Sequence, residues 1–298
     1  MCDRREAKPL GGALPRDRNT EALTKVAVII PAFGRHDLTR TVLDDLVRYE
    51  GSFDVWIVDN LGSFDPGGVS AEIVRPGVNL GWCRGCNYGV SVARHRGYGA
   101  FILMNNDVRL SPAFIDGLLR AAVVTGGDVI GPLYDHNWPH QRGAYSGHAA
   151  AYVGRPSDFL VPFIDGTCML IRRSVFDRIG FLDEWHWPMH GWGCDKDFAL
   201  RVRAAGGSVW VTERAYLNHL GRQTAMELNG YSELEAEREN DQGMRQKWGN
   251  NWRELLYEGF EGIPRLGMVQ EQFMKEMASS ELMRPPSHLP TMPDTQKH

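Results

Sequence analysis

Continuous apolar runs alternate with amphipathic helical patterns in the first 110 residues, and this alternation constrains the fold more than any other feature of the sequence. Residues 25–30, 55–58 and 100–104 are typical of strands buried on both faces, and residues 71–74 predict a shorter strand. Helices are predicted between them, one capped by Asp37 and one over about 82–96. The order β-α-β-β-α-β predicts a three-layer α/β fold with a mainly parallel central sheet.

Polar residues follow these strands at the points where the strands end. Asp59 closes the second strand, and Asn105, Asn106 and Asp107 follow the fourth. In open α/β sheets, ligands bind outside the carboxyl ends of the strands. A carboxylate flanked by amides suits a hard divalent cation that also binds phosphate oxygens. The plainer alternative is an Asn/Asp turn, before a helix whose N-cap and first residue we predict as Ser111 and Pro112.

Composition and charge exclude several classes of protein. The chain has 298 residues, 43% hydrophobic and 23% charged, which is enough for one large α/β domain with additions. The net charge of −4 argues against a general nucleic-acid binder. No apolar run reaches the length of a membrane span, and residues 1–20 lack the apolar core of a signal peptide. We therefore expect a cytoplasmic protein without a transmembrane segment, and leave peripheral membrane contact open.

The five cysteines do not suggest a disulfide framework, because their number is odd and their spacing is irregular. Cys83-x-x-Cys86 raises the alternative of a zinc or redox site. No second CxxC accompanies it, and the pair falls inside a predicted helix. We interpret these cysteines as small packing residues. Fingerprints of the GxGxxG and GxxxxGK[ST] types are also absent from the sequence.

The second half of the chain is less regular and carries the densest group of reactive side chains. Its predicted elements are, in chain order, a strand over 128–133, a long loop or hairpin over 136–162, a strand over 165–172, a short helix capped by Ser174, a helix over about 195–205, and short strands over 209–211 and 215–217. Residues 183–197 combine acids, histidines, tryptophans and glycines. Residues 232–257 are strongly helical.

These patterns divide the chain into four parts. Residues 1–24 are predicted to be a flexible lead-in, residues 226–262 a C-terminal helical extension, and residues 263–298 a partly disordered tail. The main domain is predicted over 25–225, with a first half over 25–110 and a second half over 111–225.

Eight motifs, taken together and in order, carry a family resemblance over roughly residues 25–225. They are Val-Ile-Ile-Pro-Ala-Phe-Gly-Arg (28–35), Val-Asp-Asn (58–60), Asn-Leu-Gly-Trp-Cys-Arg-Gly-Cys-Asn (79–87), Met-Asn-Asn-Asp-Val (104–108), Gly-Thr-Cys-Met-Leu-Ile-Arg-Arg (166–173), Gly-Phe-Leu-Asp-Glu (180–184), Cys-Asp-Lys-Asp-Phe-Ala-Leu-Arg (194–201) and Asn-His (218–219). As a set they resemble the inverting, nucleotide-sugar-dependent glycosyltransferases of family 2. The resemblance implies a GT-A fold and a hexosyltransferase-like activity with a divalent metal, Mn²⁺ or Mg²⁺. It also implies that residues 25–110 form a nucleotide-sugar-binding half and residues 111–225 an acceptor and catalytic half.

The resemblance also implies roles for single residues. Asp195 matches the general base, Asp107 the last acid of the DXD motif that binds the metal, and His219 a histidine that completes the metal site in some members. The implied donor-binding residues are Pro31, Phe33, Arg35, Asp59, Asn79, Gly81, Arg84, Asn105 and Asn106.

Two positions depart from the family pattern. The DXD motif is replaced by Asn105-Asn106-Asp107, with one acid instead of two, which predicts weaker metal binding or more reliance on the diphosphate and His219. The acid that often precedes the base is Cys194 here. Without a like charge beside it, we expect a lower pKa for Asp195.

Glycosyl transfer needs charge neutralisation at the leaving group, a base for the acceptor hydroxyl and aromatic or polar groups that hold a sugar. The expected acceptor-binding residues are Asp183, Glu184, Trp185, Trp187, His190 and Trp192. Each of these roles has a structural alternative. Asp195 could only cap its helix, and His219 could be an ordinary loop histidine. The Trp/His cluster could be core packing, and Asp183 and Glu184 could pair with Arg172 or Arg173. Asp197 is interpreted as structural, because the first turn of a helix favours acids.

The sequence therefore predicts transfer of a sugar from a nucleotide diphosphosugar, with UDP favoured, to a carbohydrate or other hydroxyl-bearing acceptor. Inversion by metal-assisted single displacement is expected. The alternatives are a nucleotidyltransferase on a similar sheet, or a catalytically silent module that binds sugars or nucleotides.

Overall fold

The computed structural model of this chain describes residue 23 and residues 25–48, 53–135, 138, 140–221 and 232–260. The predicted lead-in over 1–24, apart from residue 23, and the predicted tail over 263–298 lie outside the described residues. Within them, no helix has the length and apolar character needed to cross a membrane.

The described residues form one mixed sheet covered by helices. In chain order the elements are β1 (Val26–Ala32), α1 (His36–Val47), β2 (Phe53–Asp59), β3 (Glu72–Val74), α2 (Gly81–Ala93), β4 (Ala100–Met104), β5 (Val108–Leu110), α3 (Phe114–Thr125), β6 (Val129–Tyr134), β7 (Asp158–Leu160), β8 (Cys168–Arg172), α4 (Arg173–Ile179), α5 (Cys194–Ala204), β9 (Val209–His219), α6 (Glu233–Trp248) and α7 (Trp252–Tyr257). This confirms the predicted α/β class and the predicted β-α-β-β-α-β order of the first half.

The strand order in the sheet is β3-β2-β1-β4-β8-β6-β9-β5, and β7 pairs with β9. Strands β1 to β4 pair in parallel, as predicted. Strand β8 runs antiparallel to both of its neighbours, β4 and β6, and β9 runs parallel to β6 but antiparallel to β5 and β7. Parallel pairing therefore describes the first half of the sheet, whereas the second half is mixed.

The reversal at β8 brings several chain segments to one side of the sheet. Met104, the last residue of β4, pairs with Cys168, the first residue of β8. Val108, the first residue of β5, pairs with His219, the last residue of β9. The ends of β1, β2, β4, β6 and β9 and the starts of β5 and β8 thus lie along one edge, which we call the strand-end edge.

Helix α2 packs unusually close to β1, and its glycines explain why. A Cβ atom added at Gly89 would collide with Ile29, and one at Gly85 would lie 3.0 Å from the Cβ atom of Pro31. Close approach places the first turn of α2 beside the ends of β1 and β2. Cys83 and Cys86 are buried on this helix as free thiols, in agreement with their prediction as packing residues.

Three predicted helix starts are wrong by a few residues, and one of them is at Ser174, which lies inside α4 because that helix begins at Arg173. Helix α3 begins at Phe114, because Ser111 is buried and its hydroxyl accepts the Tyr216 N–H at 3.0 Å instead of capping a helix. Helix α1 begins at His36, and Asp37 pairs with Arg35 within its first turn at 2.9 Å.

Strand β9 also differs from the prediction of two short strands over 209–211 and 215–217. It is continuous from Val209 to His219. The irregularity falls in its pairing with β6, whose register shifts between Pro132 and Leu133. The long loop over 136–162 includes the short edge strand β7 among its described residues.

Candidate functional site

Asp107 and His219 meet at the strand-end edge because β5 and β9 are paired there. The Asp107 Oδ1 atom lies 3.3 Å from the His219 Nε2 atom, and both residues are largely buried. Burial lowers the pKa of His219, but the hydrogen bond with Asp107 and its negative charge outweigh burial, and the net pKa is raised. The structure therefore brings together the two residues predicted to bind a metal.

Asn105 lies beside this pair, and Asn106 does not. The Asn105 Nδ2 atom is 3.4 Å from the His219 Nε2 atom, whereas the buried Asn105 Oδ1 atom has no hydrogen-bond partner. Asn106 is buried, and its amide donates to the Thr39 hydroxyl under α1 at 3.1 Å. The Asn106 side-chain amide therefore contacts α1, and its donor contact stays a prediction.

The chemistry of this group fits a divalent cation. It offers one carboxylate, one imidazole and one buried amide oxygen without a partner, and carboxylate and amide oxygens are the ligands of hard cations. Among the described residues, no three His, Cys, Asp or Glu side chains are grouped so that they could hold a metal by themselves. The group therefore fits a cation that is also bound by phosphate oxygens. This agrees with the prediction made from the single acid of the Asn105-Asn106-Asp107 motif.

Asp59 sits at the end of β2 and organises the loop that follows. Its carboxylate accepts the N–H groups of Gly62 and Phe64, each at 2.8 Å, and pairs with Arg75 at 3.1 Å. Asn60 links the same edge to α2, since its amide oxygen accepts the Leu80 N–H at 3.1 Å. Asp59 thus shapes the strand-end edge through the backbone around it.

The other predicted donor residues lie around the first turns of α1 and α2. Asn79 is exposed, and its side chain accepts the N–H of Gly81, which has a φ of 68°. Arg84 is exposed on α2 and lines a groove between that helix and residues 181–184. The remaining three, Pro31, Phe33 and Arg35, follow one another at the end of β1 and the start of α1.

Asp195 lies in the first turn of α5 and reaches the strand-end edge through Gly166. Its carboxylate accepts the Gly166 N–H at 3.2 Å and the Lys196 N–H at 2.8 Å. Next along the chain, the Thr167 carbonyl accepts the Asn105 N–H at 2.9 Å. A short run of backbone, 166–167, therefore connects the predicted base to the predicted metal-binding residues.

The expected lowering of the Asp195 pKa is wrong. Burial raises the pKa of Asp195, the Lys196 ammonium lowers it, the nearby Asp165 carboxylate raises it, and the net direction is upward. The absence of an acid at position 194 does not decide the pKa of Asp195, because burial of the Asp195 carboxylate has the largest effect on it.

Asp197, two residues later on α5, is enclosed by partners. Its carboxylate accepts hydrogen bonds from Arg201 at 2.8 Å and from the Trp248 indole at 2.9 Å, and it pairs with Lys247 at 2.8 Å. These contacts join α5 to α6, which agrees with the interpretation of Asp197 as structural.

The predicted acceptor residues lie in residues 183–193, which we call the Trp-rich loop. Some of their side chains are exposed and others are buried. Trp185 is 86% exposed and Glu184 is exposed, whereas Trp187 is 1% exposed and packs in the core beside Gly193 and Gly243. The burial of Trp187 agrees with the core-packing alternative for this residue, and its acceptor role stays a prediction. Trp192 and His190 are partly buried in the same loop.

Asp183 holds the Trp-rich loop together. It accepts the N–H groups of Trp185 and His186 and pairs with Lys247 at 2.6 Å, so its cationic partner is Lys247 and not Arg172 or Arg173, which was the alternative to an acceptor role. Burial raises the pKa of Asp183, but the hydrogen bonds from Lys247 and His186 outweigh burial and hold the pKa well below its ordinary value. Glu184 accepts a hydrogen bond from the Asn87 side chain at 2.9 Å.

Comparison with known proteins decides the family. The model of the family described as "Glycosyl transferase family 2" matches residues 27–180, just over half of the chain. This chain belongs to glycosyl transferase family 2. The match includes Asp59 and Asp107 and ends before Asp195 and His219.

Relatives of this family 2 glycosyltransferase come from several bacteria. Uncharacterized proteins of Mycobacterium bovis and Mycobacterium tuberculosis are 36% identical over 203 residues, which is 68% of this chain and 77% of theirs. The O-antigen biosynthesis protein RfbC of Myxococcus xanthus is 27% identical over 223 residues, 65% of this chain and 17% of that protein.

The structure of the glycosyltransferase adds residues that the sequence analysis missed. Asp135, directly after β6, accepts the His219 N–H at 3.0 Å and the Asn218 amide at 2.8 Å. Asp165, just before β8, accepts the Thr167 N–H at 3.0 Å and the Trp138 indole N–H at 2.9 Å. The signal that singled out Asp59 and Asp107, an acid directly after a strand, applies to Asp135, whereas Asp165 precedes its strand and carries no such signal.

Proposed function

We propose that this glycosyltransferase moves a sugar from a nucleotide diphosphosugar, most favourably a UDP-sugar, to an acceptor hydroxyl with inversion, by single displacement. One observation carries the proposal. Asp195 and the Asp107–His219 pair are joined through Gly166, Thr167 and Asn105 at one edge of the sheet. A base and a phosphate-binding group on one edge are the two parts that such a displacement requires.

The proposed base is Asp195. Two backbone N–H groups, from Gly166 and Lys196, orient its carboxylate, and α5 anchors its backbone. A raised pKa strengthens a carboxylate as a proton acceptor, because the protonated product is then less unfavourable. Asp195 would take the proton of the acceptor hydroxyl as the new glycosidic bond forms and the bond to the diphosphate breaks.

The proposed diphosphate site is formed by Asp107, His219 and Asn105, which would hold Mn²⁺ or Mg²⁺ together with the donor. When bound, the cation would neutralise the charge that develops on the leaving diphosphate. His219 would bind the cation through its neutral imidazole, and because Asp107 raises the pKa of His219, cation binding is expected to weaken at lower pH. The Asn105 Oδ1 atom supports the proposal because a buried amide oxygen without a partner is unfavourable until a ligand binds it.

We propose the Trp-rich loop and the groove beside it as the acceptor side. Trp185 is exposed and offers an aromatic face to a sugar ring, and Glu184 adds a polar group in the adjoining groove. The name of the Myxococcus xanthus relative, an O-antigen biosynthesis protein, supports a saccharide acceptor. In this proposal residues 25–110 bind the donor, residues 111–225 carry the base, and the helical extension over 226–262 belongs with the acceptor half.

Nucleotide release tests the proposal. Purified protein is incubated with a panel of UDP-sugars and Mn²⁺, and free UDP is measured with and without EDTA, with Asp195→Asn as the control. The proposal expects UDP release from at least one donor, loss of release in EDTA and a strong reduction in the variant. Binding of UDP-sugars, seen as thermal stabilisation, without any release in the presence of saccharide acceptors would favour a silent binding module instead.

A further inference from the structure

Lys196 occupies an unusual position for a lysine. It is buried, although an ammonium group normally remains exposed to water. Its Nζ atom lies 5.1 Å from the centre of the Trp138 ring, 5.6 Å from the centre of the Phe163 ring and 3.7 Å from the Asp195 Oδ1 atom. Two aromatic faces and one carboxylate therefore surround the charge.

The aromatic part of this surrounding is itself fixed in place. The Trp138 indole N–H donates to Asp165 at 2.9 Å, and the Trp138 and Phe163 rings meet edge to face at 5.0 Å. His140 packs on the Phe163 ring at 4.5 Å and lies 3.0 Å from the Phe163 carbonyl. The ammonium is thus held by a cation–π arrangement that keeps its place beside Asp195.

Opposing influences act on the Asp195 carboxylate. Burial and the nearby Asp165 carboxylate favour the protonated form, and Lys196 favours the ionised form. The other titratable groups around the pair are Tyr134 at the end of β6, Cys194 on α5 and His140 in the loop after β6. Tyr134 and Cys194 cannot carry a positive charge, and the Lys196 ammonium is the cation that pairs with Asp195, at 3.7 Å.

We propose that Lys196 is a positioning residue that keeps the base Asp195 ionised in a buried site, with Trp138 and Phe163 holding the ammonium at the required place. At 3.7 Å the ammonium is too far for a good hydrogen bond, so it acts through charge without occupying a lone pair of the carboxylate. Orientation comes instead from the Lys196 and Gly166 backbone N–H groups. The inference rests on the proposed function, since it assumes that Asp195 is the base.

Titration of Asp195 tests this role without any substrate. The protein is labelled with ¹³C at the aspartate carboxyl carbons, and the Asp195 signal is assigned as the one missing from Asp195→Asn. Replacing Lys196 by methionine keeps a flexible apolar stem of similar length and removes the charge. Lys196→Met is expected to raise the apparent pKa of Asp195 by about 1 to 3 pH units, the effect of losing an opposite charge at this distance. Lys196→Arg, which keeps the charge, is expected to titrate close to the unmodified protein.

Lys247→Met is the matched control. Lys247 also pairs with a buried acid of α5, since its Nζ atom lies 2.8 Å from Asp197. Its replacement should move the Asp197 and Asp183 signals and leave the Asp195 titration unchanged. An unchanged Asp195 titration in Lys196→Met, or an equal change in Lys247→Met, would overturn the proposal. So would an Asp195 that is already protonated at pH 7 in the unmodified protein, a result that does not depend on the folding of Lys196→Met.

The pH dependence of kcat/KM for UDP release then separates this inference from the proposed function. If Asp195 is the base, activity rises with pH as Asp195 loses its proton. Lys196→Met should move this rise to higher pH and recover most of its activity above it, while the affinity for the UDP-sugar stays unchanged. Full activity of Asp195→Asn would contradict the proposed function. An inactive Asp195→Asn combined with an unmoved pH profile for Lys196→Met would contradict the role of Lys196 alone.

Discussion

Two regions of the site, the strand-end edge and the Trp-rich loop, are held in place by different kinds of contact. Asp59, Asp107 and His219 take their positions from the ends of strands whose register is fixed by backbone pairing. The Trp-rich loop has no helix or strand of its own and depends on side chains of α6. Glu239 accepts the N–H groups of Met189 and His190 at 2.7 and 2.8 Å.

This difference means that the fold fixes the positions of the strand-end residues, whereas the conformation of the Trp-rich loop can vary between proteins of the same fold. Residues at strand ends keep their positions as long as the sheet forms, which suits a donor site. A loop held by a few side chains of α6 and α2 can change shape through a few substitutions, which suits recognition of an acceptor. We therefore expect substitutions in the two regions to affect different kinetic constants.

The largest effect is expected at the strand-end edge. Asp107→Ala removes the carboxylate of the proposed cation site, and loss of several kcal/mol of charge stabilisation corresponds to a fall of roughly 10³-fold or more in kcat. The change is measured as UDP release, and Mn²⁺-dependent UDP binding is measured by calorimetry. Asn105→Ala removes a neutral group and should be less harmful. Normal turnover of Asp107→Ala, or turnover that is unaffected by EDTA, would break the assignment of this region to the diphosphate.

A moderate effect is expected in the Trp-rich loop. Glu239→Gln leaves one acceptor oxygen for two backbone N–H groups, and losing one charge-assisted hydrogen bond costs about 1.5–3 kcal/mol of loop order. The KM for the acceptor should rise roughly 10-fold or more, while UDP-sugar affinity stays unchanged. Glu235→Gln, an exposed residue on the same helix, is the control. A parallel loss of donor affinity would show that the two regions are not independent.

The smallest effect is expected on the packed side of α2, which supports both regions. Cys83→Ala/Cys86→Ala removes two buried thiols and should cost about 1–2 kcal/mol of unfolding free energy without loss of turnover. Urea unfolding and metal analysis measure the outcome. One zinc ion per chain in the unmodified protein, absent from the double variant, would replace the packing interpretation with a metal site.

The first half of the fold could be predicted from the sequence because its signals are local. The apolar runs that became β1, β2 and β4 are each followed by polar residues, and the same short window contains both. The helix that begins at Cys194 was predicted within one residue from its glycines and acids. Ser111 misled the prediction because its real partner, Tyr216, lies far away in the sequence.

The candidate site was only partly predictable for the same reason. Trp187 is buried because Gly243, on a helix much later in the chain, leaves room for its ring. The direction of the Asp195 pKa depends on burial, which no local pattern contains. Lys196 looks like an ordinary surface lysine in the sequence, and only the fold brings Trp138 and Phe163 over it.

Asp195, where the two regions meet, gives the most direct test of the central claim. The measurement is kcat for Asp195→Asn and Asp197→Asn with the same UDP-sugar and acceptor, together with donor affinity by calorimetry. Asp195→Asn keeps the shape and removes the basicity, so kcat should fall by roughly 10²–10⁴-fold at unchanged donor affinity. Asp197→Asn should mainly lower stability and lose far less turnover in the folded protein. An active Asp195→Asn beside an inactive but folded Asp197→Asn, or donor affinity lost together with rate, would contradict the account.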